Sequence, residues 1–331
     1  MQRPFLSRKF EFVVLLLSAV AGTGWGEEAI SLQREIGLPG VEGRIDHFSA
    51  DIPGQRLFVA ALGNGSVEVI DLQRWTSSSE IKELKEPQGV CYNPKTNRLY
   101  VATGGDGRLR IYDGKSLTLQ TTLNLGSDAD NIRIEADTGD IWVGFGSGGI
   151  AIIDSKGQQA GLISLGSHPE SFQFDRGVDR VYANVPKQLG VAVIDRKKRV
   201  VLTKWGVNGS FANYPMALDE GNKRLFIGCR LPSRLVILDT TTGRFVGALP
   251  TVGDSDDIFY DSGKRRVYVI GGEGAVEVFG QNNPDQYQNL GRIKTAPGAR
   301  TGFFSSSFGY LFVAVPHRGV QTAKVLVYKV Q

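Results

Sequence analysis

The stretch RIDHFSADIPGQRLFVAALGNGSVEVID, Arg44–Asp71, has two runs of alternating apolar residues on either side of a glycine-containing turn. Alternation with a period of two is typical of β-strands, and a short turn between two such runs is typical of a hairpin. The stretch also opens with an Asp-His pair, Asp46 and His47. Whether this pair belongs to the architecture or to a site depends on how often the unit recurs.

The run RLFVA is the landmark of a repeat. Its seven copies are spaced 40 to 44 residues apart and begin at Arg56, Arg98, Asp140, Arg180, Arg224, Arg266 and Tyr310. A glycine-rich or loop segment and a second alternating run follow each copy, and a third run precedes it. Strand periodicity at this spacing, without an amphipathic helix, predicts an all-β fold, a seven-bladed β-propeller of four-stranded blades.

The two ends of the chain are expected to meet in one blade. The last unit stops at Gln331 without an outer strand, whereas an unassigned strand-like run, ISLQREIGL at 30–38, stands before the first unit. We expect this N-terminal strand to complete the last blade and close the ring, which would remove an exposed sheet edge. Residues 27–331 are therefore predicted to form a single propeller.

The first 26 residues are typical of an export signal. Three basic residues precede the apolar run FVVLLLSAVA at 12–21, which is too short to span a membrane, and small residues follow, so that cleavage after Ala21 or Gly26 would fit. The mature protein is then expected to be periplasmic or secreted, with no membrane span. Removing the signal lowers the net charge from +4 to +2, which argues against a basic footprint for nucleic acid.

Two further patterns are interpreted as structure. GFGSGG, Gly144–Gly149, matches a dinucleotide fingerprint but lies between two predicted strands and opens no helix, so a hairpin turn is expected. Cys91 and Cys229 fall in distant blades and are expected to be separate thiols instead of a disulfide.

The segments RLYVATGGDGRLRIYD at 98–113 and RLFIGCRLPSRLVILDTTTGRFVGALP at 224–250 resemble the YVTN-repeat β-propeller family. The resemblance covers essentially the whole chain after the signal. It implies the propeller fold but leaves the function open, because members of the family differ in what they bind.

Candidate site residues come from stacking the seven units. One shared position, at the loop that enters the innermost strand, carries Asp46, Gln88, Asp130, Glu170, Tyr214, Asp256 and Arg300; the next position carries His47, Gly89, Asn131, Ser171, Pro215, Asp257 and Thr301. In a propeller these loops surround one mouth of the central channel. The predicted ligand-binding residues are Arg44, Asp46, His47, Asp130, Asn131, Glu170, Tyr214, Asp256, Asp257, Arg300 and His317.

Four carboxylates at one opening allow two interpretations. Asp46, Asp130, Glu170 and Asp256 would hold Ca²⁺, another divalent cation or a cationic or polyhydroxylated ligand through oxygen atoms. Alternatively, they would cap backbone N–H groups in tight loops. His168 and His317 are expected on the same face as His47, and longer hairpins there add Lys187, Arg230, Arg234 and Arg318.

The sequence favours an exported binding or interaction module without covalent chemistry of its own and with no certain cofactor. The alternative is a metal-dependent lactonase-like or other hydrolase, with His47, Asp46 and Asp256 as candidate catalytic residues. A third hypothesis is a redox-partner propeller or one that binds single-stranded nucleic acid. The ligand, the partner and the oligomeric state stay open.

Overall fold

The structure is a computed structural model that describes residues 28–331. The predicted signal segment, 1–26, lies outside the described residues. Residues 28–331 form a ring of seven four-stranded antiparallel sheets, and the predicted seven-bladed all-β fold is confirmed.

The strands follow one another from the channel outward in six of the blades. Their bounds, blade by blade, are as follows. Blade one contains β2 (Phe48–Asp51), β3 (Arg56–Ala61), β4 (Ser66–Asp71) and β5 (Thr76–Ile81). Blade two contains β6 (Pro87–Asn93), β7 (Arg98–Thr103), β8 (Arg108–Asp113) and β9 (Leu119–Asn124). Blade three contains β10 (Ala129–Ile134), β11 (Ile141–Phe145), β12 (Gly149–Ile153) and β13 (Gln159–Ser164).

The remaining blades keep the same order. Blade four contains β14 (Phe172–Asp175), β15 (Arg180–Val185), β16 (Gly190–Asp195) and β17 (Val200–Gly206). Blade five contains β18 (Phe211–Asp219), β19 (Arg224–Leu231), β20 (Ser233–Asp239) and β21 (Phe245–Pro250). Blade six contains β22 (Ser255–Asp261), β23 (Arg266–Gly271), β24 (Ala275–Asn283) and β25 (Gln286–Lys294). Two 3₁₀ turns, Leu62–Asn64 and Pro186–Gln188, interrupt the hairpins of blades one and four.

Blade seven joins the two ends of the described chain. It contains β26 (Gly302–Ser305), β27 (Tyr310–Val315) and β28 (Lys324–Val330), and its outer strand is β1 (Ile30–Gly37). The pairing of β1 with β28 runs antiparallel from Ile30 opposite Val330 to Gly37 opposite Lys324. Ile30 and Ile36 of β1 are almost completely buried, so this strand contributes core packing as well as hydrogen bonds.

The apolar core is divided among the spaces between neighbouring blades. Within residues 28–331 there are seven core clusters, each built from the facing sides of two adjacent sheets. The landmark strands lie between these layers and are buried on both faces. Such strands carry nearly continuous apolar runs, which explains why RLFVA and its copies are the most regular feature of the sequence.

The arginine that opens five landmark strands connects each blade to the next. Arg56, Arg98, Arg180, Arg224 and Arg266 each donate a hydrogen bond to a backbone carbonyl of the following blade. Arg266 also donates to the carbonyl of Ala29. A repeated side chain that crosses from blade to blade fixes the relative position of sheets that share no strand pairing.

The two patterns interpreted as structure are confirmed. Gly144–Gly149 spans the β11–β12 hairpin, and both cysteines are free. Among residues 28–331, no helix has the length and hydrophobicity needed to cross a bilayer.

Candidate functional site

The loops that enter the innermost strands surround a cavity of about 290 Å³ at one mouth of the channel. Every lining residue has a polar side chain: Arg44, Asp46, His47, Gln88, Asp128, Asp130, Asn131, His168, Glu170, Ser171, Tyr214, Arg230, Asp256, Asp257 and Arg300. We refer to it as the mouth cavity. Six carboxylic acids face three guanidinium groups, so the wall is acidic overall.

A repeated backbone irregularity turns these side chains toward the cavity. The pairing of the first two strands shifts register at the shared position in blades two, three, five and six. In blades one and four the same position precedes the strand, and the amides of Asp46 and Glu170 donate to Ala60 and Asn184 of the neighbouring strand. A β-bulge adds one residue to one strand and redirects its side chain, so the carboxylates are presented by fixed backbone.

The interpretation of the four carboxylates as turn caps is not supported by their contacts. Within the described part of the chain, Asp46, Asp130, Glu170 and Asp256 accept no hydrogen bond from a backbone N–H. Acids that cap turns lie elsewhere, at the ends of first and third strands: Asp71, Asp113, Asp239 and Asp261, for example, each accept two backbone N–H bonds. Capping of turns therefore does not explain why these four positions carry carboxylic acids.

Two of the four carboxylates are neutralised by arginines. Arg44 Nη2 lies 2.8 Å from Asp46 Oδ2 and 3.8 Å from Asp256 Oδ2. Arg230 Nη2 lies 2.5 Å from Asp256 Oδ1, and its guanidinium is 4.0 Å from the ring centre of Tyr214. Asp46 and Asp256 are thus held in ion pairs on one side of the mouth cavity.

His47 lies among several acceptors. Its Nδ1 is 3.4 Å from Asp257 Oδ1, and its Nε2 is 3.7 Å from Asp46 Oδ1 and 3.9 Å from Asp130 Oδ1. The amide nitrogen of Asn131, which is a donor, lies 3.4 Å from Nε2. Burial disfavours the imidazolium, but Asp257 and Asp46 outweigh it and raise the pKa of His47 to about 10. His47 is therefore a partly buried cation at neutral pH.

Burial also acts on Asp46. The loss of hydration raises the pKa of Asp46 to about 7, against the lowering effect of His47 and Arg44. The carboxyl group lines the mouth cavity but is only 2% exposed. Burial similarly raises the pKa of Asp256.

The opposite side of the mouth cavity has no arginine partner. His168 Nε2 lies 3.7 Å from Asp130 Oδ2, and one atom from each of Asp130, His168 and Glu170 lies within 4.8 Å of the others. Burial and the carboxylate of Asp130 raise the pKa of Glu170 to about 7. Asp130 Oδ1 and His168 Nδ1 are both buried, and neither has a hydrogen-bond partner in the part of the chain that the structure describes. We refer to these three residues as the Asp130 cluster.

The sequence and the structure differ on which residues come together. Of the four predicted metal ligands, Asp130 and Glu170 form a group with His168, whereas Asp46 and Asp256 form ion pairs with Arg44 and Arg230. His317 does not line the mouth cavity, because its Nδ1 lies 2.7 Å from Glu42 Oε2 on a neighbouring loop. Arg300 lies on the wall but is paired with Asp254 at 2.9 Å.

Several lining residues were not among the predicted ligand-binding residues, although His168 and Arg230 were expected on this face. Gln88 occupies the shared position in blade two, so the stacking of units contained the signal for it. Ser171 occupies the next position in blade four. Asp128 and His168 come two residues before shared positions, and Arg230 comes from the β19–β20 hairpin; no repeat position indicates which way those side chains turn.

The mouth cavity continues into the channel. A second cavity of about 380 Å³ is lined by residues from the first strands of all seven blades and shares His47, Ser171 and Asp257 with the mouth. Its wall is more apolar and includes Phe303, Phe304 and Met216.

The fold and the site define a seven-bladed β-propeller with an acidic channel mouth. No protein-family model and no curated protein matches the chain, so the resemblance to the YVTN-repeat family stays a prediction. Two solved structures share the fold. Hydrazine synthase of Kuenenia stuttgartiensis is 15% identical, with a TM-score of 0.73 over 84% of this chain and 95% of that one. A chain of the mitotic checkpoint complex is 13% identical, with a TM-score of 0.76 over 98% and 99%.

Proposed function

We propose that the chain is an exported binding propeller that takes a small cationic ligand in its mouth cavity. One observation carries the proposal: Asp130 Oδ1 and Asp256 Oδ2 are buried hydrogen-bond acceptors on the wall of the same cavity, and neither has a donor among residues 28–331. A buried acceptor without a partner costs about 1–3 kcal/mol. A ligand with several N–H donors or a positive charge would remove that cost.

The charge of the cavity supports the same ligand class. Six carboxylic acids face three arginines and the protonated His47, so the wall has an excess of negative charge once Asp46 and Glu170, whose pKa values are about 7, are ionised. A wall of opposite sign concentrates a charged ligand and speeds its association. An anionic ligand would have to displace the internal ion pairs of Arg44 and Arg230.

Export is part of the proposal. The basic start, the short apolar run and the small residues of segment 1–26 support a signal that directs the protein to the periplasm or the outside of the cell. Propellers are commonly interaction modules, so a protein partner on the loop-rich face is compatible with a ligand at the mouth.

The experiment measures binding of a defined cation. Metal-free protein is titrated with spermidine by calorimetry, and sorbitol serves as the neutral polar control. We expect saturable binding of spermidine that weakens as salt increases, and none of sorbitol. Asp130→Asn should reduce the affinity, because it removes a carboxylate that has no arginine partner and whose nearest basic groups are the imidazoles of His47, 3.9 Å from Oδ1, and His168, 3.7 Å from Oδ2.

A charge-matched variant distinguishes spermidine binding in the mouth cavity from non-specific attraction to the charge of the protein. Glu80→Gln removes one negative charge, as Asp130→Asn does, but Glu80 lies on the outer strand β5 next to Lys82. The affinity of Glu80→Gln for spermidine should therefore equal that of the wild type. Equal weakening in both variants, or no binding at any salt concentration, would overturn the proposal.

The hydrolase is the second candidate. It is favoured by the contact between Asp46 and His47 at 3.7 Å, together with the pKa of Asp46 near 7, which suits a general base. A panel of lactones and esters tests it: turnover that Asp46→Asn abolishes without unfolding the protein would favour the enzyme, and no turnover in the wild type would exclude these substrates.

A further inference from the structure

We infer that the Asp130 cluster is a binding site for one divalent transition-metal ion such as Zn²⁺. This inference rests on the proposed function, because it assigns a specific cation to one side of the mouth cavity. It replaces the sequence-based ligand set of four carboxylates with two carboxylates and an imidazole.

The distances are those of a site that needs only small side-chain movements. Asp130, His168 and Glu170 each offer an atom within 4.8 Å of the others, and His168 Nε2 is 3.7 Å from Asp130 Oδ2. Zinc binds nitrogen and carboxylate oxygen at about 2.0–2.2 Å. An ion placed between the three atoms would therefore reach all of them after shifts of less than about 1 Å.

A second observation points to an ion independently of the cluster itself. Asp130 is 8% exposed, and its Oδ1 is buried without a hydrogen-bond partner while the side chain lines the mouth cavity. Arg44 and Arg230, which neutralise Asp46 and Asp256, form no ion pair with Asp130 or Glu170. Asp130 is buried and Glu170 is partly buried, and the basic groups next to Asp130 are the imidazoles of His47, 3.9 Å from Oδ1, and His168, 3.7 Å from Oδ2. Two acids side by side without an arginine or lysine partner are stabilised by an added cation or proton.

The backbone holds the three side chains in place before any ion binds. Asp130 lies at the register shift of β10, within a strand. His168 and Glu170 flank Pro169, whose ring fixes its φ angle and favours an extended residue before it. Side chains two positions apart on extended chain point the same way.

Two contacts fix this short segment further. The amide of Glu170 donates to the carbonyl of Asn184 at 3.0 Å. On the other side, a Cβ at Gly144 would lie 3.1 Å from Cγ of Pro169, so the glycine leaves room for the proline ring. The conspicuous glycine-rich turn of blade three thus supports the cluster.

The chemistry of the donors selects the class of metal. Ca²⁺ prefers six to eight oxygen ligands, whereas imidazole with carboxylates suits zinc and its neighbours among the divalent transition metals. Three protein ligands leave a coordination position open toward the cavity, as in sites that bind a further ligand.

The test is a titration of EDTA-treated, dialysed full-length protein with Zn²⁺, using calorimetry and a competing colour indicator. We expect one ion per chain and a rise in Tm upon binding, because an ion bound only by the folded state stabilises it. His168→Ala and Asp130→Asn should each weaken binding by more than about 100-fold, beyond the loss of 10- to 100-fold that is usual for residues around the ligands.

The control variant is His317→Ala, which removes a histidine from the same face but outside the mouth cavity; its affinity should equal that of the wild type. Circular dichroism and Tm of each metal-free variant establish that it is folded. Co²⁺ in place of Zn²⁺ should give visible absorption bands that His168→Ala loses.

The outcomes separate the two proposals. Zn²⁺ that binds equally to wild type and His168→Ala, or that does not bind at all, would overturn the metal site. Spermidine binding to the same metal-free protein would then leave the proposed function standing, whereas failure of both cations would remove it as well.

Discussion

Gly89 lies directly against the backbone of Asp130 in the neighbouring blade. A Cβ placed on Gly89 would be 1.9 Å from the carbonyl oxygen of Asp130, far closer than two such atoms can approach. The contact is between backbone atoms, so no side-chain rotation can relieve it. The glycine at this position of blade two is therefore required by the close approach of the Asp130 backbone in the next blade.

Gly89→Ala should displace Asp130 and destabilise the protein. Forcing a methyl group into a closed contact costs about 1–3 kcal/mol, and the shift of β10 should weaken Zn²⁺ binding together with stability. Urea unfolding and the zinc titration measure both. Gly247→Ala is the control, because a Cβ at Gly247 has no neighbour within 4 Å; equal behaviour of the two variants would contradict the packing argument.

Asp46 should give stability a specific dependence on pH. Its pKa is about 7 in the folded protein against an ordinary value of 3.8, so between these values the folded state keeps a proton that the unfolded state has lost. The free energy of unfolding then falls as pH rises, by up to about 1.4 kcal/mol per unit for this one group. Below pH 4 and above pH 7 the contribution is constant.

Unfolding curves of wild type and Asp46→Asn between pH 3 and 9 test this. Relative to the wild type, Asp46→Asn should gain stability as pH rises from about 4 to 7, by about 2 kcal/mol or more in total. Asp71→Asn is the control, with a pH dependence of opposite sign. Backbone N–H donors lower the pKa of Asp71, so the ionised Asp71 stabilises the wild type above about pH 4, and this stabilisation is lost as pH falls further. Parallel curves for wild type and Asp46→Asn from pH 4 to 7 would refute the assignment.

The sequence predicted the fold because the same physical demand recurs in every blade. A landmark strand between two packed sheets must be apolar on both faces, as in Leu57–Ala61, and the turns around it must repeat. The stacked units also located the mouth, since equivalent backbone positions in a ring face one opening. Asp46, Asp130, Glu170 and Asp256 all lie there as expected.

The partners of those carboxylates could not be predicted in the same way. Arg230 reaches Asp256 from a hairpin of the preceding blade, and the direction of a long side chain is not encoded by its position in a repeat. His168 joins Asp130 because Pro169 and the register shift of β10 orient both. Strand periodicity does not reveal which side chains from different blades come into contact.

Arg266 should be essential to the junction between blade six and the chain ends. Its guanidinium donates to the carbonyls of Ala29 and Gln331 at 3.0 and 2.8 Å. Hydrogen bonds from a charged donor contribute about 1.5–3 kcal/mol, so Arg266→Ala should lower the free energy of unfolding by about 2–3 kcal/mol. Hydrogen exchange should increase first in β1 and β28.

Arg292→Ala is the matched control for Arg266. Arg292 is half exposed and pairs with the exposed Glu273 at 3.3 Å, and such surface pairs contribute about 0–1 kcal/mol. Loss of stability of the same size in both variants would show that the carbonyl contacts of Arg266 do not hold the ring together.

The pair formed by Arg230 and Asp256 should be strongly coupled. Arg230→Met leaves the Asp256 carboxylate, only 13% exposed, with Arg44 at 3.8 Å as its nearest cation. Removing one member of a buried pair costs about 3–5 kcal/mol because the other charge stays buried. Asp256→Asn should cost less, because Arg230 keeps Asp254 at 3.4 Å.

The double variant Arg230→Met/Asp256→Asn should recover most of this loss, since it removes both charges. We expect it within about 1.5 kcal/mol of the wild type in urea unfolding, with a coupling energy of at least about 2 kcal/mol in the double-mutant cycle. Additive losses would mean that the two side chains stabilise the mouth independently. In that case the ion pair would not be what distinguishes Asp256 from Asp130, and both carboxylates would be equally available to a ligand.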